Sequence, residues 1–275
     1  MALFGGFQER REKKALEHYL AAPSIDATEI DELKKACANA QGVLYDVLKA
    51  APDGDKRFRA LIGLQTLGIT EQMVPTVVDA LHDEDEFVRE AAAKLLGGAP
   101  QFAPMVVPTV IPLYREHPGC RPIVLQILGD YGEAAHVACG LLLDGLAKPT
   151  EALDVAHCLS HIGCQDFDPL DRAMVDVLSD RKDVGAMKAL GPAFRARLEA
   201  FLQACVPWRA VDAIPAWRRV LEAYADVCDR PAEPIARLLN ELLQYSDWKL
   251  RGEVGAQFLE MSRAKLVAEK LVQRA

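Results

Sequence analysis

The chain has 275 residues, with 40 acidic against 32 basic side chains, a formal charge of −8 and 51% apolar content. That much apolar surface excludes a disordered chain, 16 Pro and 18 Gly exclude a collagen- or mucin-like one, and a pI near 5.3 argues against nucleic acid as a partner. The length admits one large domain, two ordinary ones or a repeat array.

From the N-terminus, an apolar stretch, Met1 to Phe7, precedes the charged run Glu9 to Lys14, the reverse of a signal peptide, so a cytoplasmic location is expected. The seven cysteines show no paired short spacing; reduced thiols are expected rather than a disulfide framework or a four-Cys zinc module. Residues 1–50 are read as N-terminal capping helices. From residue 51, a period near 32 runs through the chain. Val74-Pro75-Thr76-Val77-Val78 returns as Val107-Pro108-Thr109-Val110-Ile111, and Val78-Asp79-Ala80-Leu81 as Leu143-Asp144-Gly145-Leu146 and Val175-Asp176-Val177-Leu178. A second set, Phe58-Arg59, Val88-Arg89, Cys120-Arg121 and more distantly Leu250-Arg251, opens segments with helical apolar spacing.

The clearest unit lies between Glu71 and Gly98. Pro75 suits a first helical turn, and Met73, Val74, Val77, Val78 and Leu81 form an apolar stripe. His82 to Glu86 is a polar break whose acids suit the start of the next helix. Val88, Ala91, Ala92, Leu95 and Leu96 then form a second stripe, small enough in the middle for close helix approach, and Gly97-Gly98 ends it. The uncharged run Leu95 to Tyr114 is long enough to span a bilayer, yet its four prolines and two glycines predict a helix end, a turn and a new helix, without membrane insertion.

These residues, chiefly Pro75, Leu81, Asp83, Val88 and Arg89, resemble the HEAT repeat, with Leu-x-Asp repeated at Leu178-Ser179-Asp180. The resemblance implies an all-α fold, an α-α superhelix (HEAT-like, armadillo-type solenoid) of stacked antiparallel helix pairs, with Asp83 and Arg89 in a hydrogen-bonded ladder. It covers residues 51–183 as four pairs and fades over 184–275, which still read as helical, divergent repeats and a C-terminal cap, with Tyr245 to Arg251 the last recognisable unit. The three tryptophans, Trp208, Trp217 and Trp248, all fall there and read as core or partner anchors.

No phosphate loop, Gly-x-Ser-x-Gly or His-Glu-x-x-His motif occurs, and no His precedes Glu, so the ligand pairs of HEAT-like di-iron hydroxylases are missing. Residues 51–183 carry 21 acidic and 11 basic side chains, unlike the basic track of HEAT-like DNA glycosylases. The bilin lyases have similar length and composition, with no residue-level match. A helical projection puts Val88, Ala91, Ala92, Leu95 and Leu96 inward and Glu90, Lys94 and Gly97 outward, with Ala93 flanking. Transferred along the repeat, this predicts one partner-binding face of Glu90, Lys94, Gln126, Asp130, Asp154 and His161. It also exposes Cys158, which with His157 and His161 is a candidate metal set, His136 and Cys139 being further ligands. The expected function is a non-catalytic, cofactor-free scaffold or adaptor for a protein with a basic surface; the alternative is a HEAT-like enzyme or enzyme subunit, bilin-lyase-like or metal-binding.

Overall fold

The computed structural model describes residues 14, 16–21, 31, 33, 40–164, 167–205, 210–245 and 255–274, with side chains in the last stretch from 259. Among these the regular structure is entirely helical, with no strand. Trp208, Trp248 and the Leu250-Arg251 pair lie outside the described residues. The chain divides into two compact units, Met1–Ala135 and His136–Ala275, a division that falls inside the segment read as repeats.

In the first unit, α1 (Ala40–Ala50) is followed by α2 (Gly54–Leu67), α3 (Val74–Asp79), α4 (Glu86–Gly97), α5 (Ala103–Glu116) and α6 (Arg121–Tyr131). The helix starts follow from local chemistry. Asp53 accepts from the Asp55 amide at 3.1 Å and Asp85 from the Phe87 amide at 2.9 Å, so two aspartates 32 residues apart cap α2 and α4. Pro75 lies in the first turn of α3, where its missing N–H removes no helical bond. The expected stripe, Met73, Val74, Val77, Val78 and Leu81, is buried, and so is Val88, Ala91, Ala92, Leu95 and Leu96. α2 packs on α1 and α4, and α4 packs on α6; α3 packs on α4 and α5, and α5 on α6. Helices α2, α4 and α6 thus form one row and α3 and α5 another.

The Leu95 to Tyr114 run is broken as expected, with α4 and the helical stretch that follows meeting at 85°. Within α5, Pro108 and Pro112 each remove a backbone donor, and both prolines are exposed, so water can satisfy the carbonyls they leave. Among the described residues, no single helix is long and apolar enough to cross a membrane.

The arginine register differs from the expected one. The position equivalent to Arg89 is Arg57, not Arg59: Arg57 Nη1 donates to the Ala51 carbonyl at 2.9 Å, and Arg89 Nη1 donates to the Asp83 carbonyl at 2.8 Å, each reaching back six residues. Arg59 is instead buried, donating to Asp55 Oδ2 at 2.8 Å. The ladder is corrected in the same way. Asp83 takes its guanidinium from Arg57, through Nε to Oδ2 at 2.7 Å and Nη2 to Oδ1 at 2.8 Å, and its Oδ1 also accepts from the Asp85 amide at 2.9 Å. Arg89 has no matching acid one period on, because position 115 is an arginine. Among the described residues the series does not continue beyond Arg89.

The second unit begins with the five-residue α7 (Cys139–Leu143), continued by a tight turn Asp144–Ala147, and then α8 (Ala152–Ile162), α9 (Pro169–Leu178), α10 (Val184–Ala189), α11 (Gly191–Ala204), α12 (Ile214–Val227), α13 (Glu233–Gln244) and α14 (Gly255–Val272). α8 packs on α9, α11 on α12 and α13 on α14; α9 also packs on α11 and α12, α11 on α13, and α8, α10 and α14 each on α12, so α12 is the central helix of this unit. Trp217 is fully buried, with Nε1 donating to the Leu202 carbonyl at 3.0 Å. It is a core residue. Arg218 holds Glu222 at 2.6 Å and also Glu260, joining α12 to α14.

The Arg57–Asp83 rung yields a pH signature. Burial opposes ionisation of Asp83, but the hydrogen bonds from Arg57 and the Asp85 amide outweigh it and hold the carboxyl below its ordinary range. A depressed folded value contributes stability above the unfolded value and loses it as pH falls through the folded one. Asp83→Asn should cost about 1.5–3 kcal/mol at pH 7 in urea unfolding. The difference from wild type should shrink below pH about 4 and vanish under Asp83's own lower value.

Candidate protein-interaction face

α4 lies between α2 and α6, and its exposed strip is what this packing leaves over. Phe87, Glu90 and Lys94 fall at i, i+3 and i+7 and are exposed. Gln126 and Asp130 are exposed on α6, and Phe58 and Ile62 are half-buried on α2. Phe87 is 67% exposed, and its ring meets the edge of Phe58 with centroids 6.3 Å apart. Its exposed acidic neighbours along α4 are Glu86 and Glu90; the exposed Asp55 is paired with Arg59 at 2.8 Å and Glu84 with Arg57 at 3.6 Å. Gly97, expected outward, and Ala93, expected to flank that face, are buried: Ala93 is fully buried, and Gly97 abuts α6 so closely that a Cβ there would overlap the Asp130 carboxylate. A helix flanked by two neighbours has a narrower free strip than a projection with one buried face allows.

Phe87 is the exposed aromatic of this face that sequence reasoning missed. The projection that exposed Glu90 and Lys94 also exposes the residue three before Glu90, but an aromatic next to Val88 reads as core.

In the second unit, Asp154, His157 and His161 are exposed on α8 as expected. Cys158 is not: it is only 3% exposed and belongs to the helix's packed side. Cys139 is also withdrawn from the candidate metal set, because it forms a disulfide with Cys164, the Cα atoms 6.4 Å apart. Among the described residues, no three His, Cys, Asp or Glu side chains gather as metal ligands. The disulfide corrects the expectation of thiols throughout. Gly163 caps α8 in the left-handed region at φ 71°, turning Cys164 towards α7, a placement that depends on the fold and not on Cys spacing. Cross-linking residues 25 apart stabilises by about 2–4 kcal/mol. Cys120 and Cys228 are buried thiols and Cys205 a half-buried one, its pKa pushed up by burial.

No protein-family model matches the chain, and no curated protein is significantly similar to it.

The burial pattern orders thiol reactivity. When the native chain is pulsed with iodoacetamide and mapped by peptide mass spectrometry, Cys205 should be alkylated before Cys120, Cys158 and Cys228. Faster labelling of Cys158 would restore it to the exposed side of α8.

Proposed function

We propose that the chain is a HEAT-like α-solenoid scaffold that docks a protein partner through the α2–α4–α6 face, with Phe87 as the anchor. Repetition supports the solenoid part of this reading: aspartate caps and reaching-back arginines recur at 32 residues on helices that pack row by row. The single observation that carries the docking is the 67% exposure of Phe87 within the packed row. A large aromatic left in water forgoes about 1.5–3 kcal/mol of burial that a partner would supply. The surrounding acids define what that partner presents. Arg57 neutralises Asp83, whereas Glu86 and Glu90 remain exposed beside the ring, so the complementary segment carries Lys or Arg flanking an apolar or guanidinium group that sits on Phe87. Lys94, Gln126 and Asp130 form the polar margin, a composition that suits a protein interface better than a small apolar ligand.

The test is capture of the partner at low salt from extract of the source organism, followed by affinity measurement with the purified partner. Phe87→Ala should weaken binding by about tenfold or more, and Glu86→Lys/Glu90→Lys comparably, with helical circular dichroism unchanged. Rising salt should weaken the wild-type complex. Binding that survives all three substitutions would remove this face from consideration.

A further inference from the structure

Two imidazoles meet where α3 and α5 end. His82 closes the tight turn Ala80–His82 that continues α3, and His117 is the residue that ends α5. Their ring centres lie 4.9 Å apart, with the planes at 75°. Both side chains are exposed, so an ion in solution reaches them. Among the described residues neither ring takes part in a hydrogen bond or an ion pair, which leaves the ring nitrogens open.

The backbone under each ring is held in place. Beside His82, the Asp83 amide donates to the Ala80 carbonyl at 3.2 Å; the His117 amide donates to the Leu113 carbonyl at 3.0 Å, and the Cys120 amide to the His117 carbonyl at 2.9 Å. The buried Cys120 thiol donates to the Leu81 carbonyl at 3.8 Å, joining the chain just before His82 to the chain just after His117. Packing of α3 on α5 completes the juxtaposition.

The spacing is the one that chelation of a single ion requires. An imidazole nitrogen stands about 2.0–2.1 Å from bound zinc, in line with its ring centre, and at right-angled to tetrahedral angles about the metal two such rings are centred about 4.5–5.2 Å apart. Turning either ring about its metal–nitrogen bond leaves that distance unchanged, and the broad terminal torsion of histidine lets exposed rings turn their nitrogens inward. Charge does not carry the site. The exposed charged residues near the two rings in the chain, Asp79, Glu84, Arg115 and Glu116, are of both signs, and Asp83 is occupied by Arg57. Recognition falls to the imidazoles, which favour zinc, copper or nickel over magnesium and calcium, whose ligands are oxygens.

We propose that His82 and His117 form a two-imidazole site for a zinc-like divalent ion, with water completing its coordination. Among the described residues no third ligand joins them, so the site is open, unlike a four-ligand structural zinc centre. The bound ion ties the end of α3 to the end of α5 and stabilises the folded chain by mass action.

The experiment uses the full chain without an affinity tag, freed of metal by a chelator, with zinc chloride as the probe and magnesium chloride as the control. The parent carries His157→Ala/His161→Ala, which takes out the exposed imidazole pair of α8. Titration calorimetry should show zinc binding, and thermal unfolding should move upwards as zinc rises, with neither effect from magnesium. His82→Ala and His117→Ala should each weaken zinc binding by about tenfold or more, at least the loss that follows removal of an outer-shell partner, with helical circular dichroism unchanged. Absence of zinc binding, an equal response to magnesium, or zinc binding that survives both substitutions would overturn the proposal and leave the two rings in edge contact only. If an alanine variant loses its helical signal, His82→Gln and His117→Gln replace it and must show the same loss; retained binding in them overturns the proposal equally.

Discussion

Packing α4 on both flanks is the constraint on which the first unit depends. A helix held between α2 and α6 needs small side chains where its neighbours approach, and the run Ala91, Ala92, Ala93 with Gly97 supplies them. Larger residues there would move the backbones apart, and dense packing tolerates little such movement. The same constraint determines what remains outside. With both flanks occupied, the strip of Phe87, Glu90 and Lys94, with Glu86 at the helix start, is what meets water, and the interaction proposed for the chain stands on that strip.

Polar bonds set the register of this packing without being its main source of energy. Asp85 caps α4, and Asp83 receives both Arg57 and the Asp85 amide, so one short acidic turn fixes the start of α4 against α2. Side chains on both sides of the rung are largely buried, the Arg57 side chain being 13% and the Asp83 side chain 10% exposed. Removing either partner would leave a poorly solvated charge, which is why such a pair is more restrictive than an exposed one. The turn is acidic enough to complete the rung and still leave Glu84 and Glu86 facing solvent near Phe87. Fold and partner chemistry therefore share one segment. The second unit is secured differently, by the fully buried Trp217 and by Arg218 tied to two glutamates, with a disulfide joining α7 to the end of α8.

Much of this was legible in the sequence, because local chemistry repeats. Pro75 in a first turn, the acidic break that caps α4, the stripe from Val88 to Leu96 and the break after Gly97 are set by residues within a few positions of one another, and all stand where the pattern put them. The helical character of the described residues, and the exposure of Glu90, Lys94, Gln126, Asp130, Asp154 and His161, were readable for the same reason. Tertiary structure alone decided which arginine meets Asp83, because Arg57 and Arg59 both lie near the start of α2 and only packing selects between them. It also buried Ala93, Gly97 and Cys158, whose phase on an isolated helix looked outward but whose neighbours come from two sides. Finally, it joined Cys139 to Cys164 across 25 residues: the left-handed turn at Gly163 and the end of α7 must both be in place before those sulfurs meet, and no spacing rule encodes that meeting.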